Sequence, residues 1–197
     1  MKPADTGHLY DKISLWWNEQ QTRLTAGIEF VQMALKLSAN KRNALDVGCG
    51  SGGRIVSALL DAGFQVTGID VSEAMIEYAR NRHPESDFIH TDICEWEPTE
   101  QYDAIVAWDS TFHLPYSEQR PVTARLCNAL ATGGVILFTA GGIDGEITGQ
   151  MQGEAFYYSS LAEEEYLRIM KENGCKCILL HRDQHPYEHV VFIGIKV

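Results

Sequence analysis

The nine residues LDVGCGSGG, Leu45 to Gly53, decide the fold, and they parse in two ways. Gly48, Gly50 and Gly53 satisfy GxGxxG, the dinucleotide pattern, and Asp70 lies 20 residues beyond Gly50, where such folds place a ribose-binding acid. Gly48, Gly50 and Gly52 instead form a GxGxG loop behind the acidic residue Asp46. Both parses share one setting. The apolar run ALDV (44–47) reads as a short buried parallel strand, and Ile55, Val56, Leu59 and Leu60 as the inner face of the helix that follows. A glycine-rich turn at that place lets a ligand approach the backbone, in the crevice beyond the carboxyl ends of an open α/β sheet.

Outward from the loop, strands and helices alternate. Upstream, Leu24, Ile28, Val31 and Leu35 predict one amphipathic helix over residues 19–38. Downstream, FQVTGID (64–70) predicts a second strand, and Ser72 is the expected N-cap of a helix over EAMIEYARNR. Asp87 to His90 and Tyr102 to Trp108 give the third and fourth strands. A helix from about Ser117 to Leu130 leads to VILFTA (135–140), the fifth. Residues 141–154 are polar and glycine-rich. Ser160-Leu161-Ala162-Glu163 predicts a capping box opening a helix that stops at Asn173-Gly174. CKCILLHR and VVFIGIKV close the chain as two strands around a loop at Pro186, too close together for a parallel crossover and so antiparallel. The expected fold is α/β: a Rossmann-like doubly wound sheet of seven strands, mostly parallel with an antiparallel C-terminal hairpin.

Composition sets outer bounds. The 197 residues, 45% apolar and 22% charged, suit one globular domain over 1–197. A net charge of −11 without basic runs disfavours nucleic acid as a partner, because phosphate neutralisation needs clustered Lys and Arg. No segment approaches the roughly 18 apolar residues of a membrane span, and MKPADTGHLYDK lacks the apolar centre of a signal peptide. Five scattered cysteines read as reduced thiols, and a cytoplasmic location is expected.

Three acids separate the two parses. Asp46 ends the first strand, where a pyrophosphate would be repelled and a cationic amino-acid end welcomed. Asp70 ends the second, where a carboxylate accepts both hydroxyl protons of a ribose. Asp92 follows the third in HTDIC, placed to accept from an exocyclic amine such as that of adenine. Any one of them is also an ordinary strand-end or N-cap aspartate. Their recurrence after three successive strands favours GxGxG.

The segments LDVGCGSG (45–52), VTGIDVSEAMIEYAR (66–80), HTDI (90–93), YDAIVAWDSTFHL (102–114) and LATGGVILFT (130–139) resemble, in order and spacing, the class I S-adenosylmethionine-dependent methyltransferases. The resemblance runs from about residue 42 to the C-terminus. It implies S-adenosylmethionine as cofactor and methyl transfer to a small-molecule acceptor by in-line displacement. Position by position, it implies that Gly48, Cys49 and Gly50 line the cofactor through their backbone, with Asp46 near its methionine end. Asp70 would hold the ribose hydroxyls, and Val71 and Met75 would pack on the adenine. Asp92 would meet the adenine amine, Ile93 would offer its N–H to the ring, and Trp108 would face the methionine moiety. Arg23 and Arg54 are both candidates for the cofactor carboxylate. Residues 1–40, with YDKISLWW (10–17), look like the helical cap of small-molecule members, over a core of residues 41–197. An NAD-dependent oxidoreductase, from the GxGxxG parse, and a methyltransferase acting on RNA or protein are the alternatives.

A sulfonium leaves as a neutral thioether, so alignment and exclusion of water matter more than covalent help. His113, past the fourth strand, is the candidate base, the alternative being that it orders the loop before Pro115. Asp109 is a second candidate, or a partner of loop amides. A sulfonium or a cationic acceptor is attracted to ring faces. Tyr10 and Tyr158 are the favoured rings, and adjacent Trp16 and Trp17 cannot both face one site. Glu146 is a candidate substrate contact. No metal site is expected: His181, His185 and His189 span a strand and a loop, and the CxC of Cys175 and Cys177 lacks zinc spacing.

Overall fold

The computed structural model describes residues 1–21, 24–184 and 189–197. Central strand β1 (Asn43–Val47) lies between β2 (Gln65–Asp70) and β4 (Tyr102–Ala107), parallel to both. Beyond β2 comes β3 (Asp87–His90), and beyond β4 comes β5 (Leu130–Gly141), again parallel. Strands β8 (Cys175–Asp183) and β9 (His189–Lys196) add antiparallel, giving the order β3-β2-β1-β4-β5-β9-β8 among the described residues. The chain therefore leaves β1 toward β3 and jumps back to β4. Loops after β1 and β4 diverge, which opens a crevice at the carboxyl edge. The expected seven-stranded sheet is present. The loop at Pro186 lies outside the described residues.

Alternation along the strands sorts the core into two faces. Leu45, Val47, Ile105, Ile136 and Phe138 pack against α6 (Tyr116–Asn128) and α7 (Glu163–Glu172) through Leu126, Tyr166 and Ile169. Ala44, Val66, Ala104, Val106 and Leu137 pack against α3 (Ile28–Leu37), α4 (Arg54–Asp61) and α5 (Glu73–Arg82) through Val31, Val56, Leu59 and Ile76. Each fully buried side chain of this size contributes about 2 kcal/mol. Asp46 continues the Ala44 series by two residues, so its carboxylate is carried into that apolar face at the mouth of the crevice. Two further helices, α1 (Pro3–Lys12) and α2 (Ser14–Gln21), lie at the same end of the chain. Among the described residues, no helix is long and apolar enough to cross a membrane.

Ser72 caps α5 as expected, its Oγ accepting the Met75 N–H at 3.2 Å. Three expectations need correction. The continuous helix over 19–38 is broken: α2 ends at Gln21, and α3 starts after Gly27, whose φ of +82° cannot sit inside a helix. The capping box at Ser160 does not form, because Ser160 Oγ accepts the Gly141 N–H at 2.7 Å and the N-cap of α7 is Ala162. The polar segment after β5 is not simply a connection. It forms β6 (Gly145–Met151), which pairs antiparallel with β7 (Glu154–Ser160). The turn between them is Gln152-Gly153, with φ of +53° and +82°, the two positive angles that hairpin twist prefers.

Candidate active site

The crevice holds a cavity of about 1090 Å³, counting its open mouth, walled by the ends of β1, β2 and β4 and roofed by α1 and α2. Gly48, Gly50 and Gly52 all take positive φ (+69°, +52° and +67°), whereas Gly53 takes −78° as the N-cap of α4. A Cβ on Gly48 would stand 2.3 Å from Ser110 Cβ, so a side chain there would block the loop against β4. The left-handed positions thus follow GxGxG and exclude the fourth glycine of the run.

Asp46, Asp70 and Asp109 line the cavity, and Arg54 stands among them. Asp70 is held by both oxygens, Oδ2 accepting the Gly50 N–H and Oδ1 the Ser72 N–H, each at 2.8 Å. Burial raises its pKa, and these amide bonds work against the rise. Burial pushes the Asp46 carboxyl up to about 8; the Asp70 charge adds to the rise and Arg54 opposes it. Cys49 also lines the cavity, its thiol pushed well up by burial, which leaves the backbone as its useful part. Among the described residues, four buried side-chain atoms lack a hydrogen-bond partner, and three of them, Thr6 Oγ1, Trp108 Nε1 and Ser110 Oγ, belong to residues lining this cavity. Unpaired polar atoms gathered at one cavity suit a polar ligand with many donors and acceptors.

Val71, Met75, Ile93 and Trp108 line the cavity together with the glycine loop. Asp92 does not: Thr91 and Ile93 on either side face in, while Asp92 Oδ1 accepts the Cys94 N–H at 2.8 Å and fixes the turn. Arg54 is tethered through Nε to the Ala26 carbonyl at 2.8 Å. Arg23 lies outside the described residues.

On the acceptor side, Tyr10 and Trp17 descend from the N-terminal helices and Trp16 does not line the cavity. His113 is buried, with Nδ1 2.9 Å from the Tyr157 carbonyl and Nε2 3.0 Å from Tyr10 Oη. Burial drives its pKa down to about 4, against smaller opposing effects of the Tyr157 carbonyl and Asp109. Tyr158 stays behind the wall, its ring 4.7 Å from that of His113. Glu146 is drawn away from the cavity altogether: it sits exposed on β6 and accepts the Tyr157 hydroxyl at 2.7 Å.

Asp109 takes a left-handed φ of +51°, its N–H bonded to Thr139 Oγ1 at 2.9 Å. Its Oδ1 meets His189 Nε2 at 2.9 Å, and His189 Nδ1 meets Asp183 Oδ1 at 2.5 Å. Burial alone would lower the His189 pKa, but the two carboxylates outweigh it and raise it. His189 does not line the cavity but holds Asp109, a role that its sequence context does not mark. The available signal was topological, since an antiparallel last strand begins at the carboxyl edge, and His189 indeed pairs with Gly141. No sequence signal marked Thr6.

The roof is tied to the cofactor side of the cavity. Asp11 of α1 accepts from Ser72 Oγ at 2.6 Å and from the Ala74 N–H at 3.2 Å, at the N-terminus of α5. Arg82 of α5 donates to Asn18 of α2 at 2.8 Å and to the Ser51 carbonyl of the glycine loop at 2.9 Å.

Residues 44–134 match the methyltransferase domain family, a stretch that contains the glycine loop and all three strand-end acids. Over this stretch, just under half of the chain, the sequence is similar to the class I S-adenosylmethionine-dependent methyltransferases. The chain is 30% identical over 171 residues to ubiquinone biosynthesis O-methyltransferase of Bordetella avium, covering 83% of this chain and 61% of that protein. Identity to malonyl-[acyl-carrier protein] O-methyltransferase of Acetivibrio thermocellus is 35% over 109 residues, covering 53% of this chain and 38% of that protein. The chain thus spans less than two thirds of the length of either relative. A crystal structure of an S-adenosylmethionine-dependent methyltransferase from Clostridium acetobutylicum superposes with a TM-score of 0.70 at 14% identity, covering 97% of both chains, a likeness of fold.

Proposed function

We propose that this chain transfers a methyl group from S-adenosylmethionine to a small-molecule acceptor. The observation that carries the reading is the convergence of Asp46 and Asp70 on one cavity beside a loop of left-handed glycines. The cavity residues suit this cofactor: Asp70 for the ribose hydroxyls, Asp46 for the ammonium, Arg54 for the carboxylate, and Val71, Met75 and Ile93 for the adenine. Asp92 acts on the adenine edge through the turn that carries Ile93, and Trp108 faces the methionine end. Gly48, Cys49 and Gly50 contribute backbone. Helices of residues 1–40 serve as a cap that excludes water, within one catalytic unit with the core.

When bound, the cofactor supplies an electrophilic methyl group on a sulfonium that departs as a neutral thioether. The protein's own work is alignment and a place for the acceptor's proton. Tyr10 takes that proton on its hydroxyl oxygen while passing its own to His113 Nε2. His113 is held neutral by its burial. Its Nε2, 3.0 Å from Tyr10 Oη, is the atom that would hold the proton until solvent takes it. Asp109 borders the same space.

Gly53, which completes GxGxxG, lies outside the left-handed set of the loop, which weighs against NAD, and neither relative named above is an oxidoreductase. Titration calorimetry with S-adenosylhomocysteine and with NAD tests the reading. We expect micromolar binding of the first and none of the second; tight NAD binding without S-adenosylhomocysteine binding overturns it.

A further inference from the structure

We propose that the acceptor's reacting group is an amine, held as its ammonium by the Asp109 carboxylate beside the Tyr10–His113 pair. This inference rests on the reading of the cavity as a methyltransferase site. Charge accounting inside the cavity leads to it. Among the described residues, three carboxylates line the space with one cation, Arg54. The cofactor's ribose, ammonium and carboxylate occupy Asp70, Asp46 and Arg54. Asp109, which faces Arg54 as Asp46 does, is the carboxylate left without a cofactor group, and it stands on the loop after β4 that also carries His113.

Asp109 is built in rather than merely present. Its backbone takes the left-handed region, its N–H is bonded to Thr139, and its Oδ1 to His189. Even with His189 protonated between Asp109 and Asp183, this trio keeps one negative charge in excess. The Asp109 side chain keeps 37% of its surface exposed, so the excess charge faces an occupant. A carboxylate or phosphate acceptor would meet that charge, and among the described residues no second cation lines the cavity to offset it. An alcohol would leave the charge uncompensated once water is expelled, whereas an ammonium offsets it. The rings of Tyr10 and Trp17, 5.7 Å apart and both lining the cavity, favour a cation over an anion as well.

The proton balance is simple. The bound ammonium gives one proton to Tyr10 Oη as the Tyr10 proton moves to His113 Nε2. The freed nitrogen lone pair forms the new N–C bond while the S–C pair returns to sulfur. The product leaves as a methylated ammonium, and His113 returns its proton through Tyr10 to solvent.

The test uses the protein saturated with S-adenosylhomocysteine and three probes of one shape: benzylamine, benzyl alcohol and benzoate, titrated by calorimetry. The same probes are offered with S-adenosylmethionine in a turnover assay. We expect benzylamine to bind at least tenfold more tightly than either other probe and to be the one methylated. Asp109→Asn should abolish that preference while S-adenosylhomocysteine affinity stays within threefold, which also certifies that the variant is folded. Preference for the alcohol or the carboxylate, no discrimination among the three, or a preference that survives in Asp109→Asn overturns the inference. Loss of S-adenosylhomocysteine binding by the unaltered protein would instead overturn the methyltransferase reading beneath it.

Discussion

Tyr10 Oη donates a 3.0 Å hydrogen bond to His113 Nε2, across 103 residues of chain. The direction follows from the other ring nitrogen. Nδ1 faces the Tyr157 carbonyl, which can only accept, so Nδ1 carries the proton and the Nε2 lone pair is left for Tyr10. The Tyr10 oxygen keeps its own lone pairs toward the cavity. Tyr10→Phe should therefore lower kcat at least tenfold while S-adenosylhomocysteine affinity changes less than threefold. Unchanged turnover in Tyr10→Phe with an accepted substrate would remove the pair from the reaction.

The same burial makes the protein sensitive to acid. His113 has its ordinary value near 6.5 when unfolded and about 4 when folded. Its neutral burial is fully stabilising above about pH 6.5 and is lost as pH falls through 4, a change of about 3 kcal/mol. Urea midpoints of His113→Gln measured from pH 4 to 7 should show a shallower slope than the unaltered protein. Parallel profiles would mean that another group drives the acid loss.

Asp46 runs the opposite way. An acid raised from 3.8 to about 8 stabilises the fold in its protonated form, so its contribution is present at about pH 4 and is lost as pH rises through 8. Without ligand, Asp46→Asn should be more stable than the unaltered protein at pH 8, by more than about 1 kcal/mol, with the difference fading toward pH 4. The cost is functional: S-adenosylhomocysteine affinity should drop at least tenfold. Thermal melts at the two pH values, with and without S-adenosylhomocysteine, measure both effects.

For His189 the raised pKa belongs to a base. Its ion pairs with Asp109 and Asp183 stabilise fully below about pH 6.5 and are lost as pH climbs past the folded value. His189→Gln should cost about 1 kcal/mol at pH 6 and progressively less by pH 9. A penalty independent of pH would show that packing against the Trp108 ring, 5.4 Å away, is the larger role.

The parts legible in the sequence are those governed by local rules. One acid at the end of each of three strands, and apolar residues two apart, are properties of a strand and its next turn. The strands β1 to β5 and the convergence of Asp46 and Asp70 follow from them. The hairpin β6–β7 escaped because β6 is mostly exposed and held by pairing, with no apolar period of its own. The Asp109–His189 contact depends on β9 inserting between β5 and β8, which no spacing encodes. Glu146 faces away from the cavity for a related reason, since its direction is set by the hairpin rather than by β5. The break at Gly27 was hidden because Ile28, Val31 and Leu35 keep helical spacing on their own, and Leu24 extends it by coincidence.

That break is itself a determinant of the site. Gly27 packs its α-carbon on the Trp108 ring, and an added Cβ would lie 2.1 Å from Cζ2, inside any tolerable contact. Its φ of +82° adds strain for any other residue. Gly27→Ala must therefore push either α3 or the indole, and the indole is the softer of the two because it borders the cavity. The variant should lose about 1–3 kcal/mol of stability and bind S-adenosylhomocysteine at least fivefold more weakly. Trp108→Leu in the same background separates the causes. Removing the indole relieves the clash, so stability should recover toward that of Trp108→Leu alone, and a double mutant that adds both penalties in full would place the damage in α3 instead.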